Sequence, residues 1–256
     1  MNISIIGAGA MGGAIAEGLI KVGQHKVTVS DPSDIQRQHF AKLGAVTTAD
    51  NCAAAETADL LFVVVKPWFV ESVVTELASH VDLTSRTLVL VAAGIKGEQL
   101  QAWAGQGPEL LLCIPNIAIA QLASMTFLTP VRSSDATTQR VKAVLDTMGQ
   151  TLLTDAAHLP AGTTLASCGI AYAMRYIRAA SEGGVELGFK AHDAQNIVMQ
   201  TMLGAVKLLQ ASEMHPEAAI DLVTTPGGIT IKGLNAMEQA GFTNAVIRGL
   251  LASMTN

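Results

Sequence analysis

The chain is 256 residues long, half of them apolar and only 14% charged, with a formal net charge of −5. That length holds one large domain or two ordinary ones, and a negative balance without a basic stripe argues against a nucleic-acid partner. Mean hydropathy is +0.39, yet no apolar run of about 18 residues is free of glycine or charge, so no membrane span is expected. The surplus apolar surface is expected to be buried between subunits.

The first eighteen residues, MNISIIGAGAMGGAIAEG, organise the rest. Ile3 to Ile6 is a short apolar, β-branched run of the kind found in buried parallel strands. It stops at Gly7-Ala8-Gly9-Ala10-Met11-Gly12, a complete G-x-G-x-x-G, after which Ala14, Ile15, Gly18 and Leu19 recur at helical spacing. Each glycine has a separate expected task. Gly7 allows the tight turn, Gly9 lets the backbone approach a pyrophosphate, and Gly12 lets the helix pack close to the strand. The free N–H groups at the helix start attract phosphate. The same glycines fit a nucleotide loop better than a signal peptide, and the segment lacks a basic leader.

Val27 to Ser30 reads as the second strand, ending at Asp31, nineteen residues after Gly12. That is close to the ~20 expected for an acid that bonds the adenosine ribose. A carboxylate there favours NAD, because a 2′-phosphate meets a like charge, while Ser30, Ser33 and Arg37 leave a compromise site for NADP open. Asp31 also reads as an ordinary turn residue in Ser-Asp-Pro-Ser. A helix is expected from about Ile35 to Leu43, then Thr47 to Asn51, then a short helix. Asp59 to Val65 is the plainest buried strand, and Pro67 must take the chain out of the sheet. Ligands bind beyond the carboxyl ends of such strands, which puts Val65, Lys66 and Pro67 near a cofactor. Further strands are expected at Thr87 to Val91, ending in Ala92-Ala93-Gly94, and at Leu110 to Ile114, ending in Pro115-Asn116. Small or polar residues at those ends leave room for a flat ring. The alternation predicts a doubly wound α/β sheet up to about residue 155.

From Ala161 onward the pattern is helical. Ile170, Ala173, Met174, Ile177 and Ala180 mark one apolar face, and Ile197, Val198, Thr201, Met202, Ala205 and Leu208 another. These stripes fit either a monomer core or a helical dimer interface. Gly183-Gly184 is placed to kink or end the first helix. Near the end, Val223-Thr224-Thr225-Pro226-Gly227-Gly228-Ile229-Thr230-Ile231 puts two glycines before a helical pattern. That arrangement is an anion site ringed by Thr hydroxyls, suited to a carboxylate, or else a turn with a Thr cap. Cys52, Cys113 and Cys168 are widely spaced and read as reduced thiols of a cytoplasmic protein, without a disulfide framework or zinc site. The six histidines show no ligand spacing, so no metal is expected.

Taken together, these residues resemble the pyrroline-5-carboxylate reductases over nearly the whole chain. The firmest likeness is VTTPGGITIKGL, Val223 to Leu234, joined by Gly7 to Gly12 with Ala14 and Gly18, Asn51, Val65-Lys66-Pro67, Ala93-Gly94 and Pro115-Asn116. In the helical half Ala171-Tyr172, Gly184-Val185, Gly188 and Gln200-Thr201 fit the same pattern. The resemblance implies a Rossmann-like doubly wound parallel sheet over residues 1–155 and an all-α dimerisation and substrate domain over 156–256. It implies reduction of the C=N bond of a small cyclic imino acid with NADH or NADPH, giving proline, by a homodimer or higher homo-oligomer. Thr230 matches the hydroxyl that hydrogen-bonds the ring nitrogen, and Thr225, Gly227, Gly228 and Ile229 surround the substrate carboxylate. Asn51 matches a contact to the adenosine ribose. Gly7, Gly9, Ala10, Met11, Gly12, Ser30, Asp31, Val65, Lys66, Pro67, Ala93, Gly94, Pro115 and Asn116 complete the expected cofactor site.

The chain also departs from the family pattern. Leu112 stands where the family has Arg, Ile117-Ala118 replaces Thr-Pro, and Leu90 replaces a Ser. Ser167-Cys168-Gly169-Ile170 replaces Gly-Ser-Gly-Pro, and Arg178 replaces an acid. Those changes keep open reduction of a related cyclic imine such as pyrroline-2-carboxylate, and a cofactor-binding paralogue without activity.

Overall fold

The computed structural model describes residues 1–254, which form two compact units, Met1–Ser167 and Cys168 onward. The first alternates strand and helix: β1 (Asn2–Ile6), α1 (Ala10–Val22), β2 (Lys26–Ser30), α2 (Asp34–Lys42), β3 (Val46–Thr48), α3 (Asn51–Glu56), β4 (Leu60–Val63), α4 (Pro67–His80), β5 (Thr87–Leu90), α5 (Gly97–Ala104) and β6 (Glu109–Ile114). A 3-10 turn (Ile117–Gln121) leads to β7 (Ser124–Arg132), α6 (Asp135–Asp146), β8 (Gly149–Leu153), α7 (Leu159–Gly162) and a π-helical turn (Thr163–Cys168).

The eight strands lie in the order β3-β2-β1-β4-β5-β6-β7-β8. They are parallel from β3 to β6, β7 runs antiparallel to β6, and β8 is parallel to β7. The order reverses between β1 and β4, where α/β sheets open a crevice beyond their carboxyl ends. Side chains of a strand alternate between faces, and the strands divide their residues accordingly. Ile3, Ile5, Leu60, Phe62, Val89 and Leu111 pack on one side with Ile15 and Leu19 of α1, Phe40 of α2 and Val141 and Leu145 of α6. Ile6, Leu61, Val63, Leu88, Leu90, Leu110 and Leu112 pack on the other with Val70, Val74 and Leu77 of α4 and Leu100 of α5. Because both faces are covered, β4 has no polar residue at all.

The strand β7 escaped the sequence reading. Its buried Ser124, Thr126 and Thr129 hide the apolar signal, although Ser124 and Thr126 satisfy each other at 3.0 Å. Pro130 lies beyond the stretch that β8 pairs, at a register shift between Leu110 and Leu111 where the ladder is already interrupted.

The second unit has no strand among the described residues. It consists of α8 (Gly169–Glu186), α9 (Ala191–Ser212), α10 (Pro216–Asp221), α11 (Ile229–Gln239) and α12 (Phe242–Ala252). The pair Gly183-Gly184 does not end α8. A β-carbon at Gly184 would lie 2.9 Å from Ala194 Cβ, so the glycine is there for the close approach of α9. Tyr172 Oη donates to the Gly249 carbonyl at 3.2 Å and meets Ser253, tying α8 to α12. Met174, Leu203, Val206, Leu208, Val246, Ile247 and Leu251 all remain exposed. No helix among the described residues is long and apolar enough to cross a membrane.

Candidate active site

Two of the three loop glycines have the turn and packing roles that the spacing predicts. Gly7 has φ of +94°, and a β-carbon there would lie 2.5 Å from the Val64 carbonyl oxygen. A β-carbon on Gly12 would sit 1.9 Å from the Gly7 carbonyl oxygen, so only glycine lets α1 descend onto the end of β1. Gly9 differs from both. It has an ordinary φ of −67°, and nothing lies within 4 Å of where its β-carbon would be. Its missing side chain is therefore required by neither backbone strain nor packing within the chain. Gly9 is the N-cap of α1, with no side-chain cap bond and no acid in the first turn. The leading amides of α1, including those of Ala10 and Met11, lack intrahelical partners and favour an anion.

At the end of β2, Asp31 faces this loop. Its Oδ2 accepts from the Ala8 amide at 2.7 Å and its Oδ1 from the Ser33 amide at 2.8 Å. Arg37 donates to the carbonyls of Asp31 and Pro32 at 2.7 and 2.8 Å and pairs with Asp34 at 3.3 Å. Ser30 is fully buried and donates to Asn51 Oδ1 at 2.8 Å. Asn51 opens α3 behind Asp50, whose carboxylate caps that helix through the Cys52 and Ala53 amides.

The remaining expected cofactor residues line the same carboxyl edge. Val65 and Lys66 follow β4, and Pro67 starts α4 at a position where its missing N–H costs no helical bond. Ala93 and Gly94 follow β5, with Gly94 at φ of +80° and open space around it. Pro115 and Asn116 follow β6. Asn116 is committed inside the chain: its amide nitrogen donates to Ser124 Oγ at 3.1 Å, its Oδ1 accepts from the Ala118 amide at 3.0 Å, and its Nδ2 donates to the Ala166 carbonyl at 3.4 Å. Ser167 Oγ donates to the Pro115 carbonyl at 3.0 Å. Sequence reasoning missed Ser124 and Ser167 as supports of this loop, because their bonds depend on the placement of β7 and of the π-helical turn.

In the second unit, Thr225-Pro226-Gly227-Gly228 is a turn closed by the Gly228 amide on the Thr225 carbonyl at 2.9 Å. Pro at its second position and Gly227 at φ of +71° at its third fit a type II turn. The Gly228 amide is thus taken by the turn itself, and the outward amides are those of Ile229 and Thr230 at the head of α11. Gly228 is the N-cap of α11, with no side-chain cap bond. Thr230 is exposed one residue into the helix, so it is not the cap.

Leu112, where the family has Arg, is buried in the core beneath α4 and α5. Arg178 is exposed and pairs along α8 with Glu182 at 2.8 Å. No group of three His, Cys, Asp or Glu side chains among the described residues is disposed to hold a metal ion.

A glycine cradle at the switch point of a largely parallel sheet, followed by an all-helical unit with exposed apolar faces, defines the class of NAD(P)H-dependent oxidoreductases. Residues 156–256 match the family described as pyrroline-5-carboxylate reductase dimerisation, and residues 2–94 match the family described as NADP oxidoreductase, coenzyme F420-dependent. The chain is 33% identical to pyrroline-5-carboxylate reductase 1 of Dictyostelium discoideum over 98% of its own length, and spans 48% of that longer protein. It is 33% identical to the pyrroline-5-carboxylate reductase of Methanosarcina acetivorans, covering 96% of this chain and 94% of that one. The crystal structure of the Streptococcus pyogenes 1-pyrroline-5-carboxylate reductase superposes with a TM-score of 0.87 at 30% identity, covering 99% of this chain and 96% of that one. This chain belongs to the pyrroline-5-carboxylate reductase family.

The three glycines yield a paired test. Gly9→Ala should melt within a few degrees of the parent, since its added methyl meets nothing in the chain, yet bind NADH at least tenfold more weakly. Gly12→Ala should lose roughly 1–3 kcal/mol of stability or more from forced overlap with backbone. Thermal melting and a nucleotide titration on both variants check this, and a Gly9→Ala protein that binds NADH normally contradicts it.

Proposed function

We propose that the chain reduces the C=N bond of 1-pyrroline-5-carboxylate to give L-proline. The observation that carries this reading is the Pro-Gly-Gly turn heading α11 with Thr230 exposed beside it, in a chain whose other unit keeps an intact dinucleotide cradle. The residues present fit the cofactor. Gly9 and the uncapped amides of α1 suit the pyrophosphate, and Asp31 and Asn51 suit the adenosine ribose, with the buried Ser30 hydroxyl holding Asn51. Val65, Lys66, Pro67, Ala93, Gly94, Pro115 and Asn116 border the nicotinamide half. Among these, Asn116 acts by holding the loop after β6, since its own polar groups are engaged. NAD(P)H, when bound, supplies the hydride that reduces the imine carbon.

The protein's own share of the chemistry is small. A cyclic imine nitrogen protonates in water, so no strong side-chain acid is needed. Thr230 Oγ1 orients the nitrogen, and the amides of Ile229 and Thr230, with the positive end of the α11 dipole, hold the carboxylate. Thr225 and Gly227 shape the turn that presents them. Holding the reacting atoms in line accounts for most of the rate. Reduction of pyrroline-2-carboxylate is the second reading, motivated by Ile117, Cys168 and Ile170 at altered positions. Leu112 does not add to it, because its side chain is spent on core packing. Three free cysteines fit a reducing, cytoplasmic setting.

We further infer that the smallest working unit is a homodimer closed by the helices of residues 161–212. Supporting this, α8 has no fully buried residue, and Leu208 of α9 is 67% exposed. Sedimentation at micromolar concentration should give a dimer or a larger species, and a fully active monomer contradicts the proposal.

Thr230→Val keeps the side-chain shape and removes the hydroxyl. Turnover of pyrroline-5-carboxylate should fall roughly 10- to 1000-fold, as when one positioning donor is lost, with melting temperature nearly unchanged because no cap is removed. A variant that turns over normally assigns the nitrogen contact elsewhere.

A further inference from the structure

A buried hydroxyl at the end of β2 starts a short chain of hydrogen bonds that the cofactor motifs do not include. Ser30 Oγ donates to Asn51 Oδ1 at 2.8 Å, and Asn51 Nδ2 donates to Glu76 Oε2 at 3.2 Å. A carboxylate only accepts, so Glu76 decides which end of the Asn51 amide faces it and makes Ser30 the donor at the other end. The second N–H of Asn51 and the second oxygen of Glu76 are left for a ligand. Glu76 belongs to α4, on the far side of β4 in sequence, and no nucleotide-binding motif covers it.

Charge at this corner is predominantly negative. Burial raises the pKa of the Cys52 thiol, and the carboxylates of Glu76 and Asp50 near the start of α3 and of Glu56 at its end raise it further. Asp31 directly follows Ser30. The nearest guanidinium in this turn, that of Arg37, is bonded to the Asp31 and Pro32 carbonyls and to Asp34. A second guanidinium, that of Arg86, is bonded to the Glu56 and Ala58 carbonyls at the far end of α3. At the start of α3, Glu76, Asp50 and Asp31 therefore stand against one partly neutralised cation, and a dianionic phosphate there meets net repulsion.

We propose that Glu76 is a specificity-determining residue for the nucleotide: it holds the Asn51 amide ready for a ribose hydroxyl, and its charge disfavours a 2′-phosphate at the same place. This rests on the reading above that Ser30, Asp31 and Asn51 form the adenosine-ribose end of the cofactor site.

The test is a titration of the full-length protein with NADH and with NADPH, no imine present, at low and at high salt. In the unaltered protein, affinity for NADPH relative to NADH should rise as salt screens the carboxylates over the roughly 10 Å Debye length of 0.1 M salt. Glu76→Gln keeps the size and an acceptor for Asn51 but removes the charge. It should improve NADPH relative to NADH about 3- to 10-fold at low salt, with the gain shrinking at high salt. Glu76→Ala frees the amide as well and should weaken NADH several-fold at any salt. A role confined to packing would shift melting temperature and leave both ratio and salt dependence alone. If the unaltered protein binds both nucleotides but Glu76→Gln leaves their ratio unchanged, or the unaltered ratio falls with salt, the inference is overturned and the cofactor reading stands. If neither nucleotide binds, the cofactor reading itself fails and this inference with it.

Discussion

The dinucleotide half depends on one close approach, that of α1 to the end of β1 at Gly12. With hydrogen in place of a side chain, the helix start comes down beside the Gly7 carbonyl, and its unpaired amides point past the carboxyl edge of the sheet. Everything else at that edge is aligned to it. Gly7 donates to the Ser30 carbonyl at 2.8 Å, joining the loop to β2. Asp31 answers the Ala8 amide, and β4 delivers Val65 and Lys66 to the opposite lip of the crevice. A methyl group at residue 12 would push the helix off the strand and separate these parts together.

The two units solve different physical problems. The first buries strands on both faces and is stable as a sheet sandwiched by helices. In the second, leucines, valines and methionines face outward along α8, α9 and α12. Exposed apolar faces of that kind suit a partner surface, and this part of the chain matches the family described as pyrroline-5-carboxylate reductase dimerisation. The same arrangement leaves the turn at Thr225 to Gly228 to be fixed locally, by a proline and a left-handed glycine, so that its geometry depends little on the packing around it.

Much of the fold was legible because burial on two sides leaves no room for polar residues. Leu60 to Val63 and Leu88 to Leu90 are unmistakable for that reason. The strand β7 was not legible, since its buried Ser124 and Thr126 hydroxyls bond each other and Ser124 Oγ also accepts from the Asn116 backbone amide, a pairing visible only once the strands are placed. Gly183-Gly184, expected to kink or end α8, lies two residues before its last residue, Glu186. Glycine weakens a helix, but here Gly184 serves the contact with Ala194. In the site, the roles of Gly7 and Gly12 follow from spacing alone, because each answers a local demand of turn or packing. Asn116 and Glu76 did not follow. One reads as a ligand contact and is occupied by its own chain, and the other carries no motif and reaches Asn51 only through the fold.

The central claim is that the glycine cradle and the Thr230 turn serve one reaction, reduction of a five-membered cyclic imino acid. Its most direct test is to incubate the purified protein with 1-pyrroline-5-carboxylate and NADH or NADPH, following nucleotide oxidation and proline formation together, with pyrroline-2-carboxylate run in parallel. The account predicts equimolar proline and oxidised nucleotide, formed faster from pyrroline-5-carboxylate than from its isomer. Tight nucleotide binding with no proline formed from either imine would contradict it.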